Sequence, residues 1–137
     1  MADRALRSSC LAAPLIAMLT SIMGISSASS AVAAGDVSRG ESVAAVCKSC
    51  HSFERKGPSW SGPPLWGIVG SRHARQEDFA YSSAMMSLRD KVWDLDALDQ
   101  YLLSASEFIP GTSMTFYGLK HARDRRDVLA YLYSLRD

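Results

Sequence analysis

The sequence predicts an all-α fold on three observations. No stretch of useful length alternates apolar and polar residues as a half-buried strand would. Two helical stripes follow one another in the second half of the chain, Leu95-Leu98-Leu102 and Val128-Leu129-Leu132-Leu135. Between a short helical start and those stripes, glycine and proline punctuate a long irregular segment rich in large apolar residues. The folded part is expected to span residues 35–137 as one domain of about 100 residues.

Residues 1–34 have a different character. Arg4 and Arg7 make a positive start, an apolar run extends from Cys10 toward Ile25, and small residues close the segment at Ala31-Val32-Ala33-Ala34. These are the parts of a cleavable secretory signal peptide, with cleavage expected after Ala33 or Ala34. The apolar run falls short of the ~20 residues a membrane anchor requires. No stable membrane insertion is therefore expected after signal removal, and the expected location is the bacterial periplasm. The chain carries 15 basic and 14 acidic residues, of which Arg4, Arg7 and Asp3 leave with the signal, so the mature part is neutral. That balance excludes the basic excess of a nucleic-acid binder. Of three cysteines, only Cys47 and Cys50 remain beyond the signal. A disulfide between them would close too short a loop to constrain the unfolded chain, so the pair is assigned to chemistry.

Taken in order, Asp36 is the expected N-cap of the first helix, which runs toward the cysteines with Val43 and Val46 on one face. From Ser52 to Arg75 the helical period is lost. Gly57-Pro58, Gly62-Pro63-Pro64, Gly67 and Gly70 alternate there with Trp60, Leu65, Trp66, Ile68 and Val69. So many large apolar side chains on irregular backbone need a large object to pack on. Asp94 caps the next helix, with Asp96 in its first turn, Trp93 placed to staple onto Leu98, and Tyr101 beside the stripe. This helix must end before Pro110-Gly111. The last helix is expected from Ala122 to Arg136, with Tyr131 flanking its stripe.

Cys47-Lys48-Ser49-Cys50-His51 admits three chemistries. A structural zinc site needs four ligands, yet His73, His121 and the carboxylates fall at no recognisable second-pair spacing. A redox dithiol of the thioredoxin type needs a strand-to-helix setting, and no strand is expected. In the third reading, two thioethers hold the chain against one edge of a porphyrin, and the histidine behind them reaches the iron. An exported chain with no other cysteines favours this reading, and a porphyrin is also the large object that the irregular segment needs. For the other face of the iron the candidates are Met85, Met86, Met114, His73 and His121. Met114 stands apart because Pro110 and Gly111 hold its segment extended, which lets the side chain project sideways. Met85 and Met86 fit core or surface positions, and His73 and His121, flanked by arginines, are expected to be solvated.

Together the motifs resemble those of class I c-type cytochromes, the small soluble mono-haem proteins of mitochondria and bacteria. The resemblance rests on Gly35-Asp36-Val37 with Gly40, Cys47 to His51, Gly62-Pro63-Pro64-Leu65-Trp66-Gly67, Phe79-Ala80-Tyr81-Ser82, Trp93, Tyr101-Leu102, Ile109 to Met114, and Asp127 to Leu132. It implies the cytochrome c fold, some three to five helices wrapped around one covalently attached haem c. It further implies Cys47 and Cys50 as the covalent links, His51 as proximal ligand and Met114 as distal ligand. The carbonyl of Pro63 would accept the other ring N–H of His51. Tyr81 and Trp93 match residues that bind a haem propionate, with Thr112 next to it, and Gly40 and Tyr131 match the crossing of the first and last helices. The chain departs from the family at Ser71, where an arginine is usual and Arg72 stands next. It also departs at Ala105 and Val43, in one extra residue between Tyr81 and Trp93, and in few lysines around the ligand segment, with Ser113 beside Met114.

With His51 and Met114 both on iron, no position is left for oxygen or peroxide. The expected function is that of a soluble, monomeric one-electron carrier rather than an enzyme. Its expected partners are redox proteins, namely respiratory or photosynthetic membrane complexes or periplasmic dehydrogenases. The neutral charge motivates an alternative, a dedicated electron-accepting subunit of one dehydrogenase or oxidase. A small-molecule sensor or weak peroxidase is the third reading, should Met114 detach.

Overall fold

The computed structural model describes residues 35–137. The expected signal peptide at 1–34 lies outside the described residues. Five α-helices follow in order: α1 (Val37–Val43), α2 (Ser83–Met86), α3 (Leu95–Leu103), α4 (Ala105–Phe108) and α5 (Ala122–Ser134), with a 3-10 helix at Ala44–Ser49 continuing α1. Among the described residues there is no strand, only an isolated antiparallel bridge between Arg72 and Val92. No helix among them is long and apolar enough to cross a membrane.

Asp36 starts α1 as expected, its carboxylate accepting the Arg39 N–H at 3.0 Å. The helix then tightens to 3-10 geometry at Ala44. That change of pitch separates Val43, which is half-buried against the core, from Val46, which is 55% exposed. The two valines, expected on one face, thus meet different surroundings, Val43 the core and Val46 the cavity mouth. The tightening brings the cysteine segment out of the helical path and ends it at Cys50.

The framework is the crossing of α1 and α5. A Cβ on Gly40 would overlap the Asp127 carbonyl oxygen and lie 3.0 Å from the Tyr131 Cβ, so only glycine permits this approach. Asp127, 1% exposed, would be costly there without partners. It accepts the Asp36 N–H at 3.0 Å and a guanidinium N–H of Arg39, which also reaches Asp124. The Asp36 N–H and the Arg39 charge hold its carboxyl below the usual range.

Asp94 caps α3 by accepting the Ala97 N–H at 2.7 Å. The helix stops at Ser104, ahead of Pro110, and a separate turn, α4, intervenes. Leu98, Tyr101 and Leu102 pack with Val128, Leu129 and Leu132 of α5 in one core. Buried Arg125 ties the two helices together, donating to Asp99 at 2.8 Å and to the Leu119 carbonyl at 2.9 Å. The last helix ends at Ser134 rather than Arg136. Leu135 leaves helical geometry, and its carbonyl accepts the Gly67 N–H at 2.6 Å.

Candidate functional site

Between α3, α5 and the irregular segments lies a cavity of about 400 Å³, within the range of ligand and cofactor sites. Its walls bring together residues far apart in sequence: Cys47, Cys50 and His51, Pro63, Tyr81, Trp93, and Thr112 with Met114. All eight residues singled out in the sequence line this one space. Leu98, Leu102, Val128 and Leu132 are among its apolar walls.

The histidine is the most constrained of these groups. Its Nδ1 lies 2.7 Å from the Pro63 carbonyl oxygen. A carbonyl only accepts, so Nδ1 carries the proton and Nε2 keeps a free lone pair. Burial lowers the His51 pKa against the opposing pull of Pro63, which favours the neutral imidazole, the form that binds a metal. The ring rests on Gly62, where a Cβ would stand 2.6 Å from Nδ1. The Gly62 loop is in turn pinned to the histidine's own segment, with Gly62 N–H on the Cys50 carbonyl at 2.9 Å and Leu65 N–H on the Ser52 carbonyl at 2.8 Å.

Cys47 and Cys50 are free thiols, half-buried and exposed respectively. Burial, followed by the Cys50 charge, raises the Cys47 pKa. A redox dithiol needs the opposite shift, a stabilised thiolate. Cys47 is thus poorly placed to act as an attacking thiolate.

On the facing side, Met114 is half-buried on a helix-free segment from Ile109 to His121. The hydroxyl of Thr112 lies 2.8 Å from the Tyr101 hydroxyl and accepts the Met114 N–H at 3.4 Å. Farther along, the Leu119 N–H binds the Leu102 carbonyl at 2.7 Å. Met85, buried, lines the cavity, whereas Met86 is 43% exposed. His121 is exposed, but His73 is not solvated as expected. It is 3% exposed and stacked on Trp93 with ring centroids 3.7 Å apart. Its backbone N–H is tied to the Lys91 carbonyl at 3.0 Å, beside the Arg72–Val92 bridge, which turns the side chain inward. Its Nδ1 is buried without a hydrogen-bond partner among the described residues.

Three features were not found in the sequence. The bearing of Gly62 on the His51 ring and the Tyr101–Thr112 pair both depend on chain segments that meet only in the fold. The third is Arg75, half-buried, lining the cavity and donating to the carbonyls of Pro64, Trp66 and Gly67. No local pattern distinguishes Arg75 from its exposed neighbour Arg72.

The donor set fits a haem. A neutral imidazole with its free nitrogen available, a thioether and two free thiols line one apolar cavity. The Tyr81 hydroxyl accepts the Gln76 N–H at 3.3 Å and retains its own proton to give to an anion.

No family model matches the chain. Relatives are nevertheless clear. The chain is 39% identical over 102 residues to a cytochrome c homolog of Bradyrhizobium diazoefficiens, covering 74% of this chain and 55% of that one. It is 42% identical over 103 residues to cytochrome c2 of Rhodomicrobium vannielii, covering 75% and 82%. It is 37% identical over 102 residues to cytochrome c of Gibberella zeae, covering 74% and 95%. The chain thus spans about half the length of the Bradyrhizobium protein and most of the other two. Among solved structures, cytochrome cH from Methylobacterium extorquens superposes with a TM-score of 0.66 at 36% identity, over 73% of this chain and 99% of that one.

Proposed function

The chain belongs to the class I c-type cytochromes, haem-containing electron carriers with the cytochrome c fold, and from that premise we propose a periplasmic one-electron shuttle with one haem c bound covalently through Cys47 and Cys50. Its iron ligands are His51 and Met114. The observation that carries this reading is the His51 ring, fixed by Pro63 and Gly62, in the same cavity as both thiols and the Met114 thioether. When bound, the haem supplies a single iron that gains and loses one electron.

The rest is the work of the chain. Pro63 holds the His51 ring orientation and raises its basicity. Met114 supplies a soft thioether that favours the reduced iron, and the apolar walls disfavour the extra charge of the oxidised one. Tyr81 and Trp93, with Thr112 nearby, bind the carboxylate end of the cofactor. Residues 1–34 direct export, and the mature chain begins near Gly35.

A redox titration of the purified holoprotein with its visible spectrum tests the proposal. A six-coordinate haem spectrum that stays with the chain after denaturation is expected. Haem released on denaturation, or still retained through denaturation when Cys47 and Cys50 are both replaced by alanine, contradicts covalent attachment. Sequencing the mature amino terminus checks cleavage.

A second reading, a dedicated electron-accepting subunit, draws support from the exposed apolar residues near the cavity mouth. Val46 lines the cavity at 55% exposure, Trp60 is 54% exposed beside Ser61, and Tyr117 is 94% exposed beside Phe116. Such a rim suits apolar docking better than charge steering. Electron transfer insensitive to ionic strength, with one co-purifying enzyme, favours this reading over the general shuttle.

A further inference from the structure

Among the described residues, three arginines are not exposed: Arg39, Arg75 and Arg125. Arg39 meets Asp124 and Asp127, and Arg125 meets Asp99 at 2.8 Å. Arg75 has no carboxylate within ion-pair distance among the described residues. Its terminal nitrogens donate to backbone carbonyls instead, to Gly67 at 3.0 Å, to Pro64 at 3.2 Å and to Trp66. Those carbonyls fix the plane of the guanidinium but do not cancel its charge. They also occupy only three of its five N–H donors. A half-buried cation left in that state is unfavourable, and burial lowers its pKa against little more than the Tyr81 hydroxyl.

The side chain lines the apolar cavity beside Tyr81, whose hydroxyl proton is also unspent. A fixed cation and a hydroxyl donor together suit a carboxylate that arrives with the ligand. We propose that Arg75, rather than Arg72, is the charge partner of a haem carboxylate, binding it together with Tyr81. The assignment rests on the haem reading above. Arg72 also lines the cavity, but it is exposed, and no carbonyl cradle holds its guanidinium. Arg75 is a positioning residue with an electrostatic consequence. A carboxylate paired with a cation stays ionised, and its charge acts less on the iron.

Holoproteins carrying R75Q, R75K and R72Q separate the possibilities. A missing haem absorption in the unaltered protein sinks the cofactor reading itself, and is seen before any variant is made. With haem present, R75Q is expected to lower the midpoint potential and to make it slope with pH across the neutral range. R75K should recover most of the potential, and R72Q should match the unaltered protein. If R75Q loses thermal stability but keeps the potential and its pH profile, Arg75 is only a clip on its loop and the proposal is overturned. A pH slope produced by R72Q overturns it equally. Should R75Q fail to fold, redox-difference infrared spectra of the unaltered holoprotein decide. Only ionised carboxylate bands are expected from about pH 8 down to about pH 5, because a cation-paired carboxyl titrates below its ordinary range. A protonated-carboxyl band growing in over that interval refutes the pairing.

Discussion

His51 and Met114 face the same cavity from walls of different construction. On the His51 side the ring is one residue from Cys50, is wedged on Gly62 and is bonded to Pro63 at 2.7 Å. The loop that supplies those contacts is pinned by backbone hydrogen bonds to residues 50 and 52. On the other side, Met114 sits within a helix-free segment and depends on Thr112, itself held by one hydroxyl of α3. The first wall closes on itself, whereas the second is anchored at a distance. Such a difference predicts that the Met114 wall opens before the His51 wall, as local openings draw on the weakest-held segments.

The largest test of this contrast strikes the stronger wall. Gly62→Ala forces a methyl into the His51 ring, where its Cβ would be 2.6 Å from Nδ1. A loss of about 3 kcal/mol of stability is expected, as for an overpacked core, with reduced holoprotein yield. Chemical unfolding followed by haem absorbance measures it. An unchanged midpoint would show that the clamp is looser than its geometry.

Met114→Ala comes next and touches function more than folding. The sulfur-to-iron band in the red should vanish, and the potential should fall on the order of a few tenths of a volt. Carbon monoxide should then bind the reduced protein rapidly at neutral pH, whereas the unaltered protein should bind it slowly. Rapid binding by the unaltered protein would move the function toward sensing or peroxidase chemistry.

Tyr101→Phe sharpens the comparison without touching either ligand. It removes the 2.8 Å partner of Thr112, worth about 1 kcal/mol. The sulfur band is expected to fade at a lower temperature than in the unaltered protein, while the histidine side stays intact. Equal loosening of both sides would dissolve the distinction drawn here.

The smallest effect concerns the wall behind Trp93, which both sides share. Burial lowers the His73 pKa below the ordinary 6.5. The unfolded chain therefore takes up the proton first. This contribution is fully present above pH 6.5 and is lost as pH falls from there toward the depressed folded value. The slope from one such group cannot exceed about 1.4 kcal/mol per pH unit. Thermal unfolding between pH 7 and pH 5 should show a decline that His73→Phe flattens.

These contrasts also divide what the sequence made legible. The caps at Asp36 and Asp94 and the all-α class were readable because adjacent residues set them, whereas the last helix stops two residues short of Arg136 because Leu135 turns its carbonyl to the distant Gly67. The cysteine–histidine segment was readable because its spacing is its chemistry, and the cytochrome fold because its motifs keep their order. Val46 escaped, since a change of helical pitch alters facing without altering composition. His73 escaped because its burial comes from stacking on Trp93, twenty positions away. Arg75 and Arg72 look alike in sequence, and only the carbonyls of Pro64, Trp66 and Gly67 separate them.

The α1–α5 crossing has a bearing on the order of events in the protein's life. Asp36 and Gly40 precede Asp127 and Tyr131 by about ninety positions, so this contact closes a loop of most of the described residues. Long loops close late because their ends must first find each other. The cysteine segment lies just after α1, so it is accessible throughout that wait. If the cofactor is attached there as proposed, the attachment is expected to meet an open chain, with the α1–α5 crossing closing afterward.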